Sequence, residues 1–342
     1  MKSIQITHNQ ELRVTDMERP GTPGAGEVLL RMCHVGFCGS DLNTYMGRNM
    51  MALDPVIPGH ETGAVIEYVG PGVPGYLTPG LTVTCNPYTS CGECPSCRNG
   101  RPNACRSNQT LGVQRDGAMR EYMLLPWEKV IPAPGLSTKV CALVEPMSVG
   151  FHAVDRAQVK DVDTVMVIGC GMVGLGAVVR AALRGATVIA ADIDDDKLAL
   201  ACSMGASYAV NTLKDDVHCR LQEITGGDGP DVVIEAVGSV PTYRMAVDEV
   251  AFTGRVACIG YSKAEVSFET RLFVQKELDI RGSRNATPQD FRAVIRYMER
   301  GTCPVDRLVT RVVRPEEAAD AMQWWSLNPG KVFRILVEMD AE

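Results

Sequence analysis

The chain has no surplus of positive charge. Its 34 Lys and Arg stand against 41 Asp and Glu, a formal net charge of −7. Binding to phosphate backbones needs a basic patch, so nucleic acid is excluded as the expected partner. Long apolar runs are missing too. The longest uncharged apolar stretch, Val165–Val179, is too short and too rich in glycine to span a bilayer, so no membrane partner is expected. The first residues lack the apolar core of a secretory signal, and a cytoplasmic location is expected. Internal repeats and low-complexity segments are absent from the sequence. What remains is 342 residues, 45% of them hydrophobic: enough for a large core, and a length that fits two domains better than one.

Cysteine is what the chain has in number. There are 13, an odd count for a disulfide framework. Four follow the spacing C-x2-C-x2-C-x7-C: Cys91, Cys94, Cys97 and Cys105. Four thiolates that close, with Gly and Pro bending the chain between them, form a closed tetrahedral shell, and a closed shell marks a structural zinc. It would stabilise a lobe, roughly residues 85–110, with almost no apolar residues of its own. Free or disulfide-bonded cysteines are the competing reading, and the regular spacing argues against it. Cys33, Cys85, Cys141, Cys170, Cys202, Cys219, Cys258 and Cys303 mostly sit beside apolar residues and read as small core residues.

A second constellation is Cys38-Gly39-Ser40-Asp41 followed by Gly59-His60-Glu61. Zinc takes thiolate, imidazole and carboxylate, and a catalytic site needs three protein ligands and one open position. Cys38, His60 and Glu61 would supply the three. Glu145, in the apolar setting Leu143-Val144-Glu145-Pro146, needs a partner if buried. It reads as a group supporting the metal ligands, as an exchangeable ligand, or as a plain helix N-terminal carboxylate. His34, His152 and His218 lack ligand-spaced partners and read as structural.

The first 148 or so residues carry many short strands, among them Ile4–Ile6, Leu12–Val14, Gly26–Met32, Val65–Val69 and Leu81–Thr84, separated by Gly/Pro turns. That pattern suggests a partly closed β-barrel-like domain. In the centre, a β-branched strand from Asp163 runs into Gly169-x-Gly171-x-x-Gly174 and then an apolar helix, which is the dinucleotide-binding fingerprint in its proper context. Gly169 makes the tight turn, Gly171 admits a pyrophosphate, Gly174 lets helix and sheet pack closely, and the helix start at Met172 and Val173 faces the phosphates. A second strand ends at Asp192, 21 residues beyond Gly171, where a carboxylate would bond the ribose hydroxyls and repel a 2′-phosphate. NAD is therefore expected over NADP, with Lys197 a further candidate at the ribose. Strands and helices keep alternating to Gly282, which gives a doubly wound parallel sheet. Its strand ends offer Val237, Ile259 and Arg284 as candidates for lining the nicotinamide half. Further on, Gln289–Arg300 and Pro315–Trp325 read as helices with core-facing apolar stripes, and Lys331–Val337 as a strand returning to the first domain.

Gly36–Asp41, Pro58–Glu61, the four-cysteine lobe, Val144–Pro146 and the central glycine motif stand in this order along the chain. In that combination the sequence resembles the zinc-dependent medium-chain alcohol and polyol dehydrogenases over essentially its full length, nearest the sorbitol, threonine and sugar-acid branch. The block Leu111–Tyr122 is similar to bacterial members acting on hexonates such as L-galactonate or L-idonate. The resemblance implies an α/β protein: a GroES-like catalytic domain over residues 1–148 and 286–342, and a Rossmann NAD-binding domain over 149–285. It also implies a homodimer or homotetramer. Cys38, His60 and either Glu61 or Glu145 match the catalytic zinc positions, Ser40 matches the hydroxyl that relays the substrate proton, and Tyr45 matches a substrate-pocket aromatic. Asn43 departs from the histidine of several relatives, which puts a relay ending there in doubt. The activity implied is oxidation of a small polyhydroxylated substrate, with NAD⁺ taking the hydride. Arg115 or Arg284 would pair with a substrate carboxylate. A neutral polyol, butanediol or threonine dehydrogenase is the rival within enzymes; a non-catalytic NAD-binding protein is the rival outside them.

Overall fold

A computed structural model describes residues Met1–Met339. The chain forms two compact units. One takes Met1–Pro146 and the C-terminal stretch from Thr287; the other is Met147–Ala286.

The first unit is organised on one long strand, Glu27–Phe37, eight of whose eleven residues are buried. Strands shielded on both faces read as apolar runs rather than alternation, and Val28-Leu29-Leu30 and Met32 supply one here. Along one edge it pairs antiparallel with Glu61–Val69, with two register shifts on the way. Its other edge is shared. The first half takes Tyr122–Pro126 and the second half takes Ile335–Glu338, with Phe37 opposite Ile335. Thr82–Cys85 and Val130–Pro132 extend the sheet beyond Glu61–Val69, and Arg311–Val313 lies parallel outside Ile335–Glu338. A hairpin of Lys2–Thr7 and Glu11–Asp16 adds Ile4 and Ile6 to the core. A smaller one, Tyr88–Thr89 against Gln109–Thr110, brackets the four-cysteine segment.

The C-terminal elements of this unit close its core. The helix Pro288–Met298 starts at a reciprocal cap between Thr287 and Asp290 and buries Phe291, Val294, Ile295 and Met298. The returning strand joins the sheet but begins later than expected, at Ile335, because Pro329–Lys331 form a 3₁₀ turn. Pro315–Glu317 are likewise a 3₁₀ turn, and the α-helix runs from Ala318 to Leu327.

The second unit is a six-stranded sheet in which every neighbouring pair is parallel. Its order is Tyr208–Asn211, Thr187–Asp192, Thr164–Ile168, Val232–Glu235, Arg255–Cys258, Asp279–Gly282. The third, second and first strands come before the fourth, fifth and sixth, the doubly wound dinucleotide-binding arrangement. The fourth strand stops at Glu235, short of Gly238, which has φ +80° and turns the chain. Of the cysteines read as core residues, Cys202 and Cys219 are exposed, and Cys258 and Cys303 are only partly buried. The first two lie on helices, where sequence neighbours face different sides. His34 bonds the Thr138 hydroxyl at 2.9 Å and His218 meets Glu249 at 2.9 Å.

Candidate metal centre and dinucleotide site

Cys38 is the last residue before the helix Gly39–Tyr45, and His60 immediately precedes the strand Glu61–Val69. The turn into His60 passes through Gly59, at φ +102°; a Cβ there would come within 2.6 Å of the Val35 side chain. Across the strand pair, Gly36 faces Glu61, and a Cβ at Gly36 would stand 2.3 Å from Glu61 Oε2. The Glu61 carboxylate thus occupies space that any side chain at position 36 would take. These elements bring one ligand atom each from Cys38, His60 and Glu61 within 4.8 Å of one another.

The chemistry of this group fits a metal ion. Among the described residues, His60 Nδ1, both Glu61 oxygens, Ser40 Oγ and Asp41 Oδ1 are buried without a hydrogen bond. Buried polar atoms without a hydrogen bond are costly, and those of His60 and Glu61, brought together beside Cys38, are what a bound cation would satisfy. Burial by itself would lower the His60 imidazole. The Cys38 sulfur, Asp41 and Glu145 outweigh it, and His60 stands well above its ordinary value. The group as a whole therefore favours positive charge at its centre.

Three residues around the group carry no signal of their role in the sequence. Asp41 is buried, accepts the Cys38 N–H at 2.7 Å, and is pushed up to about 6 by burial. Arg334 is also buried. Its Nη1 donates to the Phe37 carbonyl at 2.7 Å, and its Nε lies 3.1 Å from Glu61 Oε2 as an ion pair. Tyr88 is buried and its hydroxyl donates to the Glu145 carboxylate. Glu145 itself sits in the first turn of Val144–Arg156, and burial above all raises it to about 7. It stands outside the tight group of three.

The four cysteines of the lobe also converge. Cys94 Sγ is 3.5 Å from Cys97 Sγ and 3.8 Å from Cys105 Sγ, and Cys105 Sγ is 3.5 Å from Cys91 Sγ. A Zn–S bond of about 2.3 Å gives a tetrahedron edge of about 3.8 Å, so the set is sized for zinc. All four are free thiols. The Ser96 hydroxyl and nearby backbone N–H groups hold Cys94 down to about 5, the direction a thiolate ligand needs.

In the second unit, Gly169 has φ +93°. A Cβ on Gly174 would be 1.7 Å from the Gly169 carbonyl oxygen, whereas one on Gly171 would meet nothing within 4 Å. The first is a packing demand; the second leaves open space at the start of the helix Met172–Leu183, capped by Gly171. Asp192 accepts Cys170 N–H at 2.7 Å and Ile193 N–H at 2.8 Å, so the acid at the second strand's end is tied to the glycine turn. Val237 is exposed and Ile259 and Arg284 are partly buried, all just past strand ends. Lys197 lies in the first turn of the helix Asp195–Ser203.

Residues 24–135 match the alcohol dehydrogenase GroES-like domain family, and residues 173–300 match the zinc-binding dehydrogenase family. The chain is 33% identical over 288 residues to L-galactonate-5-dehydrogenase of Escherichia coli (strain K12), a match covering 84% of each. It belongs to the zinc-binding medium-chain alcohol dehydrogenases. Sorbitol dehydrogenase of Halalkalibacterium halodurans is 30% identical over 98% of this chain and 99% of its own. The crystal structure of an alcohol dehydrogenase from E. coli CFT073, complexed with NADH, superposes with a TM-score of 0.89 at 30% identity over 99% of each chain.

This dehydrogenase is thus a zinc-type oxidoreductase with a GroES-like unit and a Rossmann unit. No described helix is long and apolar enough to cross a membrane. Two predicted substrate residues lie apart in character. Tyr45 is buried in the apolar core of the first unit. Arg115 is exposed and donates to the Thr89 hydroxyl at 3.0 Å. Its loop is bonded to the approach to His60: Gly117 N–H reaches the Ile57 carbonyl at 2.6 Å and Ala118 N–H the Gly59 carbonyl at 2.9 Å.

Proposed function

We propose that this dehydrogenase oxidises a secondary alcohol of a sugar acid, a hexonate such as L-galactonate or L-idonate, to the keto-hexonate, with NAD⁺ taking the hydride. The observation that carries the reading is the group of a partly buried Cys38 with buried His60 and Glu61, led into by a segment whose backbone is bonded to the loop bearing Arg115. The relative named for L-galactonate supports the substrate class.

A zinc ion held by Cys38, His60 and Glu61 supplies Lewis acidity, which lowers the pKa of an alcohol hydroxyl. Three protein ligands is the number a catalytic zinc site uses. Arg334 offsets part of the Glu61 charge, and Asp41 fixes the backbone at Cys38. Ser40 Oγ, buried and without a partner, takes up the substrate's hydroxyl proton and passes it outward. Glu145 is a supporting or exchanging carboxylate at this centre. NAD⁺ supplies the hydride acceptor. Gly169, Gly171, Met172, Val173 and Gly174 cradle its pyrophosphate, Asp192 and Lys197 bind its ribose, and Val237, Ile259 and Arg284 flank its nicotinamide. Zinc held by Cys91, Cys94, Cys97 and Cys105 is structural. Arg115 pairs with the substrate carboxylate, and Tyr45 supports the pocket from the core. A cytoplasmic homodimer or homotetramer is the setting this reading carries.

The second reading is a neutral polyol as substrate, favoured by the sorbitol dehydrogenase match across nearly the whole chain. NAD⁺ reduction over a panel of hexonates, hexitols, butanediol and L-threonine, with NADP⁺ in parallel, separates the two. Selective turnover of one hexonate, reduced in Arg115→Ala more than turnover of a matched polyol, is the expected result. Equal losses on acid and polyol would remove Arg115 from the pocket. Preference for a neutral polyol would overturn the substrate class and leave the zinc chemistry standing.

A further inference from the structure

Tyr88 stands between two structures that the sequence treats as separate. Its main chain pairs with Thr110 in the hairpin that brackets the four-cysteine segment. Its ring is buried and meets Phe291 edge-on, with centroids 6.5 Å apart and planes at 75°. Its carbonyl accepts from the Lys129 ammonium. Backbone pairing, an aromatic contact and a charged donor therefore hold this side chain in place, and what it presents is a hydroxyl donated to the Glu145 carboxylate. A buried carboxylate keeps one orientation only if something polar fixes it, and a charge-assisted O–H···O bond is a strong way to do so.

We propose that Tyr88 is a positioning residue for the catalytic centre: its hydroxyl orients Glu145 toward the metal group of Cys38, His60 and Glu61. This rests on the reading of Glu145 as a carboxylate of that centre. Ligand-supporting hydrogen bonds of this kind are worth roughly 10- to 100-fold in metal affinity.

The test uses full-length protein with Co²⁺ in the catalytic site and zinc in the lobe. It reads the visible d–d bands and the rate of cobalt loss to a chelator. Glu145→Gln should move the bands and speed the loss. Tyr88→Phe should move them in the same sense and speed the loss by about tenfold. The double variant should lose cobalt no faster than the faster single variant, since both remove one interaction. Phe291→Leu keeps the hydroxyl but loosens the ring. It should give a smaller change of the same sign, and it serves where Tyr88→Phe does not fold. Wild-type bands and loss rates in Tyr88→Phe and Phe291→Leu, beside a changed Glu145→Gln, would overturn the proposal. Wild-type behaviour in Glu145→Gln would instead refute the reading of Glu145 and take the proposal with it.

Discussion

Arg334 offers a perturbation whose size depends on whether metal is bound. It is 5% exposed, and its partner Glu61 is fully buried. In Arg334→Met the stem is nearly conserved, but Glu61 loses its ion pair and the Phe37 carbonyl loses a donor. Removing one member of a buried pair costs about 3–5 kcal/mol, because the remaining charge is stranded away from water. The orphaned carbonyl adds roughly 1 kcal/mol. For a unit of this size each kcal/mol is worth about 2–4 °C in unfolding temperature, so the metal-free variant should unfold about 8–24 °C earlier than metal-free wild type. With zinc bound, the ion itself compensates Glu61, so the variant should lose less. By linkage, each 1.4 kcal/mol by which the loss shrinks is about a tenfold gain in metal affinity. The assay is differential scanning calorimetry of wild type, Arg334→Met and Arg334→Met/Glu61→Gln, each zinc-loaded and chelated. The double variant should recover much of the metal-free loss. An equal or larger loss in the zinc-loaded variant would refute the reasoning, because it would mean that the ion and the arginine do not share the same counter-charge.

Three further outcomes follow from the geometry. Glu145 is raised from the usual carboxyl range to about 7, mainly by burial, so in metal-free protein its contribution to stability is full below about 4.5 and is lost as pH rises through 7. Glu145→Gln should therefore stabilise the metal-free protein at pH 8, by a few kcal/mol at most, and leave it nearly unchanged at pH 4.5, read by thermal melts at both values. Asp192→Asn should cost NAD⁺ efficiency by about tenfold to a hundredfold, the worth of a charged hydrogen bond, while activity with NADP⁺ rises; unchanged cofactor preference in kcat/KM would remove Asp192 from the ribose site. Gly174→Ala places a methyl 1.7 Å from a backbone oxygen that cannot swing aside, so NADH binding by fluorescence titration should be lost together with several kcal/mol of stability.

The features legible in the sequence were those carried by local spacing. The glycine turn, the alternation of strands and helices, and the four-cysteine lobe each lie within a short segment whose residue types suit little else. Cys38, His60 and Glu61 could be grouped because soft and hard ligands occur near one another in the chain. What could not be read were partners supplied from a distance. Arg334 reaches Glu61 only because Ile335 pairs with Phe37, and an arginine before a C-terminal strand looks like any surface charge. Tyr88 reads as a spacer between cysteines until its hydroxyl is placed on Glu145. Asp41 was visible as a residue of the Cys38 motif, but its burial depends on the sheet beneath. The same limit accounts for the exposed Cys202 and Cys219, since neighbours along the chain say nothing of helical face. It also accounts for the late start of the last strand, where the Pro329–Lys331 turn takes up the residues before it.

The order in which the chain is made gives the discontinuous first unit a further meaning. A nascent chain that has emerged as far as Gly282 contains all six strands of the parallel sheet, a complete unit ready to close on itself. The same nascent chain carries Cys38, His60 and Glu61 but neither the strand Ile335–Glu338 nor Arg334. Its metal ligands therefore wait on a sheet with one vacant edge and a buried acid without its cation, while the dinucleotide-binding half is already formed. Translation stalled at this point should yield a protease-resistant second unit and a protease-sensitive first, and release of the final strand should seal the catalytic half last.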